Sequence, residues 1–117
     1  MLHPFRFLQK FLSVLGAVSL VLLLLLGVFV VLATVVYFAE KGQHFANSPS
    51  SFAEALYFSA ITALTVGYGD IVPHSFVGRC ASLLLALLGI TLTGIVAGAA
   101  VRALQLQGEE ERGKESK

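Results

Sequence analysis

Residues 65–70 read T-V-G-Y-G-D, and this stretch lies between two long apolar segments of the chain. Its two glycines, Gly67 and Gly69, are separated by one residue, and glycine adopts positive φ without a Cβ clash. An ordinary strand points successive carbonyl groups to opposite sides, whereas a strand reset at its glycines can turn several carbonyls toward one line. Several such loops around one axis would form stacked rings of oxygen atoms, which can replace the water shell of a dehydrated cation.

The composition indicates a membrane protein. The chain has 117 residues, of which 56% are hydrophobic and 13% are charged, and its mean hydropathy is +0.84. A soluble domain of this size could not bury that much apolar surface. The net charge of +1 gives no reason to expect a nucleic-acid partner. Cys80 is the single cysteine, so no internal disulfide can form and a metal cluster is not expected.

Two uncharged segments are long enough to cross a bilayer as helices, which requires about 20 residues. The first extends from residue 11 to 39 and the second from residue 80 to 101. A cleaved signal peptide is disfavoured for the first segment, because its apolar core is too long and no clear cleavage site follows. Six of the eight basic residues precede the first segment or follow the second, and only Lys41 and Arg79 lie between them. The positive-inside rule therefore predicts cytoplasmic termini and an external connecting segment.

The connecting segment, residues 40–79, is predicted to contain a loop and a short helix. Residues 41–50 are polar and include glycine, asparagine and proline, which favours an exposed loop. Ser51 and Glu54 have the spacing of a capping box, and the apolar stretch from 52 to about 63 suits a helix. Because about 12 residues cannot cross a bilayer, we expect a re-entrant helix buried in protein. The negative end of its dipole would face a cation next to the T-V-G-Y-G stretch.

This stretch resembles the selectivity filter of the potassium channel family, whose signature is T-V-G-Y-G, and the similarity extends from residue 52 to 100. The aspartate after the filter, Pro73, the run Gly78-Arg79-Cys80 and the run Gly89-Ile90-Thr91 resemble bacterial two-transmembrane potassium channels. The resemblance implies an all-α membrane protein in which two transmembrane helices flank a re-entrant pore helix and an extended selectivity filter. It also implies a homotetramer around a central pore, since one chain supplies only one strand of carbonyls.

The predicted organisation has five segments. Residues 1–10 form a basic, amphipathic cytoplasmic segment, 11–39 the first transmembrane helix, 40–79 the extracellular loop, pore helix and filter, 80–104 the pore-lining transmembrane helix, and 105–117 a cytoplasmic polar tail. The apolar residues near the N-terminus share one helical face, close to Arg6 and Lys10: Phe5, Leu8, Phe11 and Leu12. Two interpretations stay open for them, a helix lying on the inner leaflet or the snorkelling start of the first span.

The resemblance assigns roles to individual residues. The filter carbonyls that would coordinate K⁺, together with the hydroxyl of the first residue, belong to Thr65, Val66, Gly67 and Tyr68. Filter support would come from Gly69, Asp70 and Tyr57. By helical spacing and by resemblance, the second span would line the pore with Ile90, Thr93, Ala97 and Val101. Gly89 matches the family's hinge glycine, with close helix packing as the alternative, and packing is favoured for Gly94 and Gly98.

One departure from the family pattern lies on the short helix. Some bacterial members carry a glutamate there that pairs with the aspartate after the filter, and Ile61 stands at that position. Tyr57 is then the nearest hydroxyl donor to Asp70, and we hypothesise that filter inactivation is weaker than, or different from, that of glutamate-containing relatives. Tyr57 and Phe58 are the expected aromatic neighbours of Tyr68.

The expected function is a potassium-selective pore that conducts K⁺ passively across the cell membrane. Its expected partners are the lipid bilayer, three identical subunits and K⁺ as the permeant ion, with no cofactor and no nucleic acid. An enzyme is not expected, because the chain has no P-loop, paired-carboxylate site or nucleophile with a placed base. Three alternatives remain: a weakly selective cation channel, a non-conducting membrane assembly module, and a hairpin that binds a larger membrane partner. Tyr68 disfavours the weakly selective cation channel, because relatives with another residue at this position lose a potassium-specific filter.

Overall fold

The computed structural model describes residues 4–116, and the regular structure in that part of the chain is entirely α-helical. Its helices are α1 (Pro4–Ala17), α2 (Ser19–Glu40), α3 (Phe52–Ala63) and α4 (Phe76–Glu115). Both α2 and α4 are long and apolar enough to cross a membrane. The chain forms two compact units, which we describe separately: residues 23–92, and the described residues up to Leu22 together with those from Thr93 onward.

Helix α1 begins at Pro4, inside the segment predicted to be amphipathic, and the stretch predicted as one helix from residue 11 to 39 is divided at Val18. Proline suits the first helical position, because its fixed φ is helical and its missing N–H would have no partner there. The Val18 amide donates to the carbonyls of both Val14 (3.3 Å) and Leu15 (3.2 Å). The backbone is therefore wound more tightly at Val18, and its amide keeps its hydrogen-bond partners. α1 separates apolar from polar residues around its axis, whereas α2 is apolar on all sides.

The unit formed by residues 23–92 is centred on a small core. Its buried residues come from α2, α3 and α4 and are Val36, Ala55, Phe58, Ala81 and Leu85. The two alanines allow the helix backbones to approach closely, which matters in lipid because helix association there depends on packing rather than on hydrophobic transfer. The core thus holds α3 between the two long helices.

Residues around the start of α3 explain why the helix begins at Phe52. The Ser51 side chain accepts a hydrogen bond from the Glu54 amide at 3.1 Å, as the capping pattern predicts. The Glu54 carboxylate does not return to the N-cap residue but accepts from Ser50, at 2.8 Å from its amide and 2.9 Å from its hydroxyl. The reciprocal hydrogen bond of the capping box therefore comes from Ser50, one residue before the N-cap Ser51. These hydrogen bonds from the Ser50 amide and hydroxyl lower the pKa of Glu54 below its ordinary value.

α4 begins before and ends after the span expected from hydropathy, and it continues for 40 residues. Its polar end contains Arg112 and Lys114 in the last turn, where positive charge is favoured by the helix dipole. The polar tail is therefore helical as far as Glu115.

Candidate functional site

The backbone of residues 65–69, which we call the filter segment after its predicted role, has positive φ at every second residue. The values are 63° at Thr65, 56° at Gly67 and 80° at Gly69. The sequence predicted this conformation for the two glycines, and the structure confirms it. Thr65 was not predicted to adopt it, because a β-branched residue in this region costs on the order of 1–3 kcal/mol. Such a conformation persists only where neighbouring contacts hold it.

The end of α3 supplies those contacts through its last carbonyl groups, which have no partner inside the helix. The Thr65 amide donates to the Thr62 carbonyl at 3.1 Å. The amides of Val66 and Gly67 both donate to the Ile61 carbonyl, at 2.9 and 3.1 Å. The backbone amides at the start of the filter segment thus bond back to α3. In the described part of the chain, no hydrogen bond ends on the carbonyl oxygens of residues 65–68.

Behind the filter segment, the Tyr57 hydroxyl donates a hydrogen bond to the Asp70 carboxylate at 2.9 Å. This is the bond expected once Ile61, which is buried, replaces a carboxylate at its position. The hydrogen bond to Asp70 raises the pKa of the Tyr57 hydroxyl, since ionisation would remove the donor and place two negative charges together. That Tyr57 and Asp70 support a filter stays a prediction.

The expected aromatic neighbours of Tyr68 do not contact it within the chain. Its ring is 73% exposed and, among the residues described, stacks on neither Tyr57 nor Phe58. Phe58 turns instead into the core of its unit, where its ring is 6% exposed. An aromatic cuff around Tyr68 therefore requires another chain, and it stays a prediction.

Glu40 holds the segment that follows the filter, a role that sequence analysis missed. It is the last residue of α2 and is 1% exposed. One carboxylate oxygen accepts from the His74 amide at 2.8 Å, and the other accepts from the Ser75 amide at 2.9 Å and the Ser75 hydroxyl at 2.5 Å. The Ser75 hydroxyl in turn accepts from the Gly78 amide at 3.0 Å. Glu40 and Ser75 together cap the positive end of α4, and an acidic residue closing an apolar span was the signal available in the sequence.

The loop of residues 41–50, which we call the outer loop, is attached to the segment that follows residues 65–69. The Val72 amide donates to the Asn47 carbonyl at 2.9 Å, and the Asn47 side-chain oxygen lies 2.8 Å from the His74 ring. The Phe45 and His74 rings stack with their centroids 4.1 Å apart. The filter segment is therefore held by α3 at its start and by α2 and the outer loop at its end.

Gly89 is a packing residue in this structure. A Cβ at this position would lie 2.7 Å from Cα and 2.5 Å from the carbonyl carbon of Ala63, with the Ala63 oxygen closer still. The α4 backbone therefore rests directly on the end of α3, which favours packing over the hinge interpretation. Among the described residues, no atom lies within 4 Å of a Cβ added at Gly94 or Gly98. Close packing of these two glycines stays a prediction.

The residues predicted to line a pore occupy one face of α4. Ile90, Thr93, Ala97 and Val101 are all exposed in the single chain. Their lining of a pore stays a prediction. Among the described residues no cluster of three or more histidine, cysteine, aspartate or glutamate side chains could hold a metal ion. The oxygen ligands that this site offers are backbone carbonyls, which suit a hard monovalent cation.

Comparison with known proteins agrees with this geometry. A protein family described as "Ion channel" matches residues 23–106, a range that includes the short helix, the filter segment and most of both apolar helices. Potassium voltage-gated channel subfamily KQT member 4 of Homo sapiens, Rattus norvegicus and Mus musculus is in each case 47% identical over 64 residues, which cover 54% of this chain. The matched stretch is 9% of the length of each relative. The resemblance to potassium channels is confirmed by these matches, and the chain belongs to the ion channel family.

Proposed function

We propose that this protein forms a potassium-selective pore through which K⁺ crosses the cell membrane passively. The observation that carries the proposal is the backbone of residues 65–69. Positive φ alternates along it, its first amides are bound to α3, and its carbonyl oxygens are left without hydrogen-bond donors in the described chain. These exposed carbonyls are therefore free to accept hydrogen bonds from water or to coordinate a cation.

K⁺ is the ligand that such a row suits when several copies face one axis. A dehydrated K⁺ is held by about eight oxygens, and each chain contributes one carbonyl per level, so the working unit is a homotetramer. The ligands are the carbonyls of Thr65, Val66, Gly67 and Tyr68, with the Thr65 hydroxyl at the inner end. Successive levels allow ions to repel one another, so that binding is strong enough for entry and weak enough for exit.

The electrostatics of α3 support a cation next to the filter. The helix ends at Ala63, two residues before the filter, and the carbonyl end of a helix carries a partial negative charge. The described residues of α3 contain no basic side chain in the last turn to neutralise it. In the tetramer, the ends of the helices would converge on the inner side of the filter and favour a cation there.

The exposed apolar residues of the filter region support assembly. Leu64 is 66% exposed, Val66 49% and Tyr68 73%. In a homotetramer the neighbouring subunits cover these side chains and hold the carbonyl rings at a fixed width. Lipid covers the apolar surface of α2, and both termini lie in the cytoplasm according to the distribution of basic residues. The name of the matched relatives supports potassium as the permeant ion. Because the match covers 9% of each relative, the proposal concerns only the matched portion of those proteins.

The experiment is ion flux from liposomes that contain the purified protein, with K⁺ and Na⁺ gradients compared and barium as the blocker. We expect rapid K⁺ flux, little Na⁺ flux and block by barium. Na⁺ flux equal to K⁺ flux would indicate a weakly selective cation channel, and an intact tetramer without flux would indicate a non-conducting assembly module. Either result, or a purified assembly without fourfold symmetry, contradicts the proposal.

A matched pair of glycine variants separates the filter from general backbone strain. Gly67→Ala places a Cβ at φ 56° in the filter, and Gly42→Ala does the same at φ 96° in the outer loop. Among the described residues, no atom lies within 4 Å of either added Cβ. We expect Gly67→Ala to abolish selective K⁺ flux and Gly42→Ala to preserve it. Equal behaviour of the two variants would refute the assignment of the filter.

A further inference from the structure

The segment between the filter and α4, residues 70–75, is anchored at both of its ends. Tyr57 binds the carboxylate at its start, and Glu40 accepts from the backbone amides at its end. Of the backbone amides in its middle, only that of Val72 donates a hydrogen bond within the described part of the chain. The acceptor is the Asn47 carbonyl of the outer loop, at 2.9 Å. The backbone in the middle of the segment is therefore held by Asn47.

The side chain of Asn47 makes a second contact with the same segment. Its oxygen lies 2.8 Å from Nε2 of His74, two residues after Val72. Because a carboxamide oxygen can only accept a hydrogen bond, Nε2 carries a proton in this arrangement and donates it. One residue of the outer loop thereby bridges positions 72 and 74, and Pro73, which lies between them in the chain, is buried.

The ring of Phe45 orients the His74 imidazole. The two rings are nearly parallel, with an angle of 22° between their planes and 4.1 Å between their centroids. The terminal torsion of a histidine is otherwise broad, and the stacked ring restricts it so that Nε2 stays directed at Asn47. The turn that carries both loop residues is closed by a hydrogen bond from the Ser48 amide to the Phe45 carbonyl at 3.1 Å. Phe45, Asn47 and His74 therefore form one unit, which we call the outer clamp.

The outer loop can hold this segment because its own end is fixed to the protein. The two residues directly after Asn47, which are Ser48 and Pro49, are buried. The amide and hydroxyl of the next residue, Ser50, donate to the Glu54 carboxylate in the first turn of α3. The outer clamp is thus attached to the start of the same helix whose end leads into the filter segment.

We propose that Asn47 and His74 are positioning residues of the filter, an inference that rests on the proposed function. Within the described chain neither side chain bonds to a filter carbonyl, and both act through the segment that follows it. They keep residues 72–74 in place, so that Asp70 stays within reach of the Tyr57 hydroxyl. Loss of the outer clamp lets the segment move away and changes the width of the outer carbonyl rings. The ratio of K⁺ to Na⁺ flux then falls.

Two substitutions of His74 test the geometry of the outer clamp by ion flux from liposomes. Glutamine places its side-chain nitrogen near the position of Nε2 and can still donate to Asn47, whereas asparagine is too short to reach it. Both variants keep the backbone amide that donates to Glu40, and both lose the stack on Phe45. We expect His74→Gln to keep a ratio of K⁺ to Na⁺ flux close to that of the wild type. His74→Asn should lower this ratio about threefold, a modest loss because the hydrogen bond is exposed.

Hydrogen exchange of the Val72 amide tests the outer clamp without measuring conduction. In the full-length protein in detergent micelles, the exchange rate of this amide, followed by NMR, reports the opening of its bond to Asn47. Asn47→Leu removes the side-chain acceptor but keeps the backbone carbonyl, and it should raise the exchange rate about threefold. Asn47→Asp keeps an acceptor and should restore slow exchange. Gln43→Leu removes an exposed carboxamide that has no hydrogen bond among the described residues, and as the matched control it should change nothing.

The two readouts separate failure of the outer clamp from failure of the pore. Unchanged Val72 exchange in Asn47→Leu would overturn the proposal, as would equal flux ratios in His74→Gln and His74→Asn. Faster exchange with an unchanged flux ratio would leave a purely structural contact and would overturn the positioning of the filter. If the wild type conducts no K⁺, the proposed function fails, and Val72 exchange still decides whether Asn47 holds the segment.

Discussion

Replacement of Gly89 by alanine distinguishes a hinge in α4 from a packing contact. An added Cβ would lie 2.5 Å from the carbonyl carbon of Ala63, whereas ordinary contact begins at 3.4 Å. The shortfall at that atom is about 0.9 Å. The obstacle is the backbone at the end of α3, which cannot rotate away as a flexible side chain would. The two helices must therefore move apart for alanine to fit.

The magnitude follows from two opposing terms. Overpacking of this kind costs about 1–3 kcal/mol, and a backbone obstacle places Gly89→Ala at the upper end of that range. Alanine is the better helix former by about 1 kcal/mol, which offsets part of the loss. We expect the free energy of unfolding to fall by about 2 kcal/mol. A hinge glycine in open space would instead gain up to about 1 kcal/mol on the same substitution.

The assay is equilibrium unfolding in mild detergent, followed by the circular dichroism of the helices, with Gly108→Ala as the matched control. Gly108 lies in the same helix, and no described atom lies within 4 Å of an added Cβ, so its substitution should raise stability. Because Ala63 leads directly into the filter segment, Gly89→Ala should also lower the ratio of K⁺ to Na⁺ flux. Stability equal to that of Gly108→Ala, with reduced channel opening alone, would refute the packing interpretation.

Substitutions at three other residues address the contacts around the filter segment. Tyr57→Phe removes the hydrogen-bond donor to Asp70 and should speed the decay of K⁺ flux. The wild type should show the same faster decay only as the pH rises through the pKa of Tyr57, which is raised above its ordinary 10.0. Identical decay of the wild-type flux at all pH values would contradict this prediction. Glu40→Ala leaves buried backbone donors without an acceptor and should lower the free energy of unfolding by roughly 2–3 kcal/mol in detergent, while Glu40→Gln, which keeps one acceptor, should lose less. Because hydrogen bonds from Ser50 lower the pKa of Glu54, its contribution is present at neutral pH and lost as the pH falls through that pKa, below 4.5. The acid-induced fall in melting temperature should therefore be smaller in Glu54→Gln than in the wild type, and an equal fall would argue against the contribution.

Much of the architecture was predictable because it depends on local properties of the chain. Hydrophobic length alone indicates the two apolar helices, and the short helix from 52 to 63 follows from its apolar run and its cap at Ser51. The positive φ values of Gly67 and Gly69 follow from the freedom of glycine. The hydrogen bond from Tyr57 to Asp70 was expected from the absence of a carboxylate at position 61.

The remaining features depend on residues that are distant in sequence, and only the tertiary structure decided them. Glu40 meets Ser75 across 35 positions and Lys10 meets Glu110 across 100, separations that no helical or strand period connects. The positive φ of Thr65 depends on carbonyl groups that α3 offers only once its end is folded, and propensity alone argues against it. Gly89 has the same sequence signature whether it bends or packs, and the nearness of Ala63 decides between them because a Cβ would have no room there.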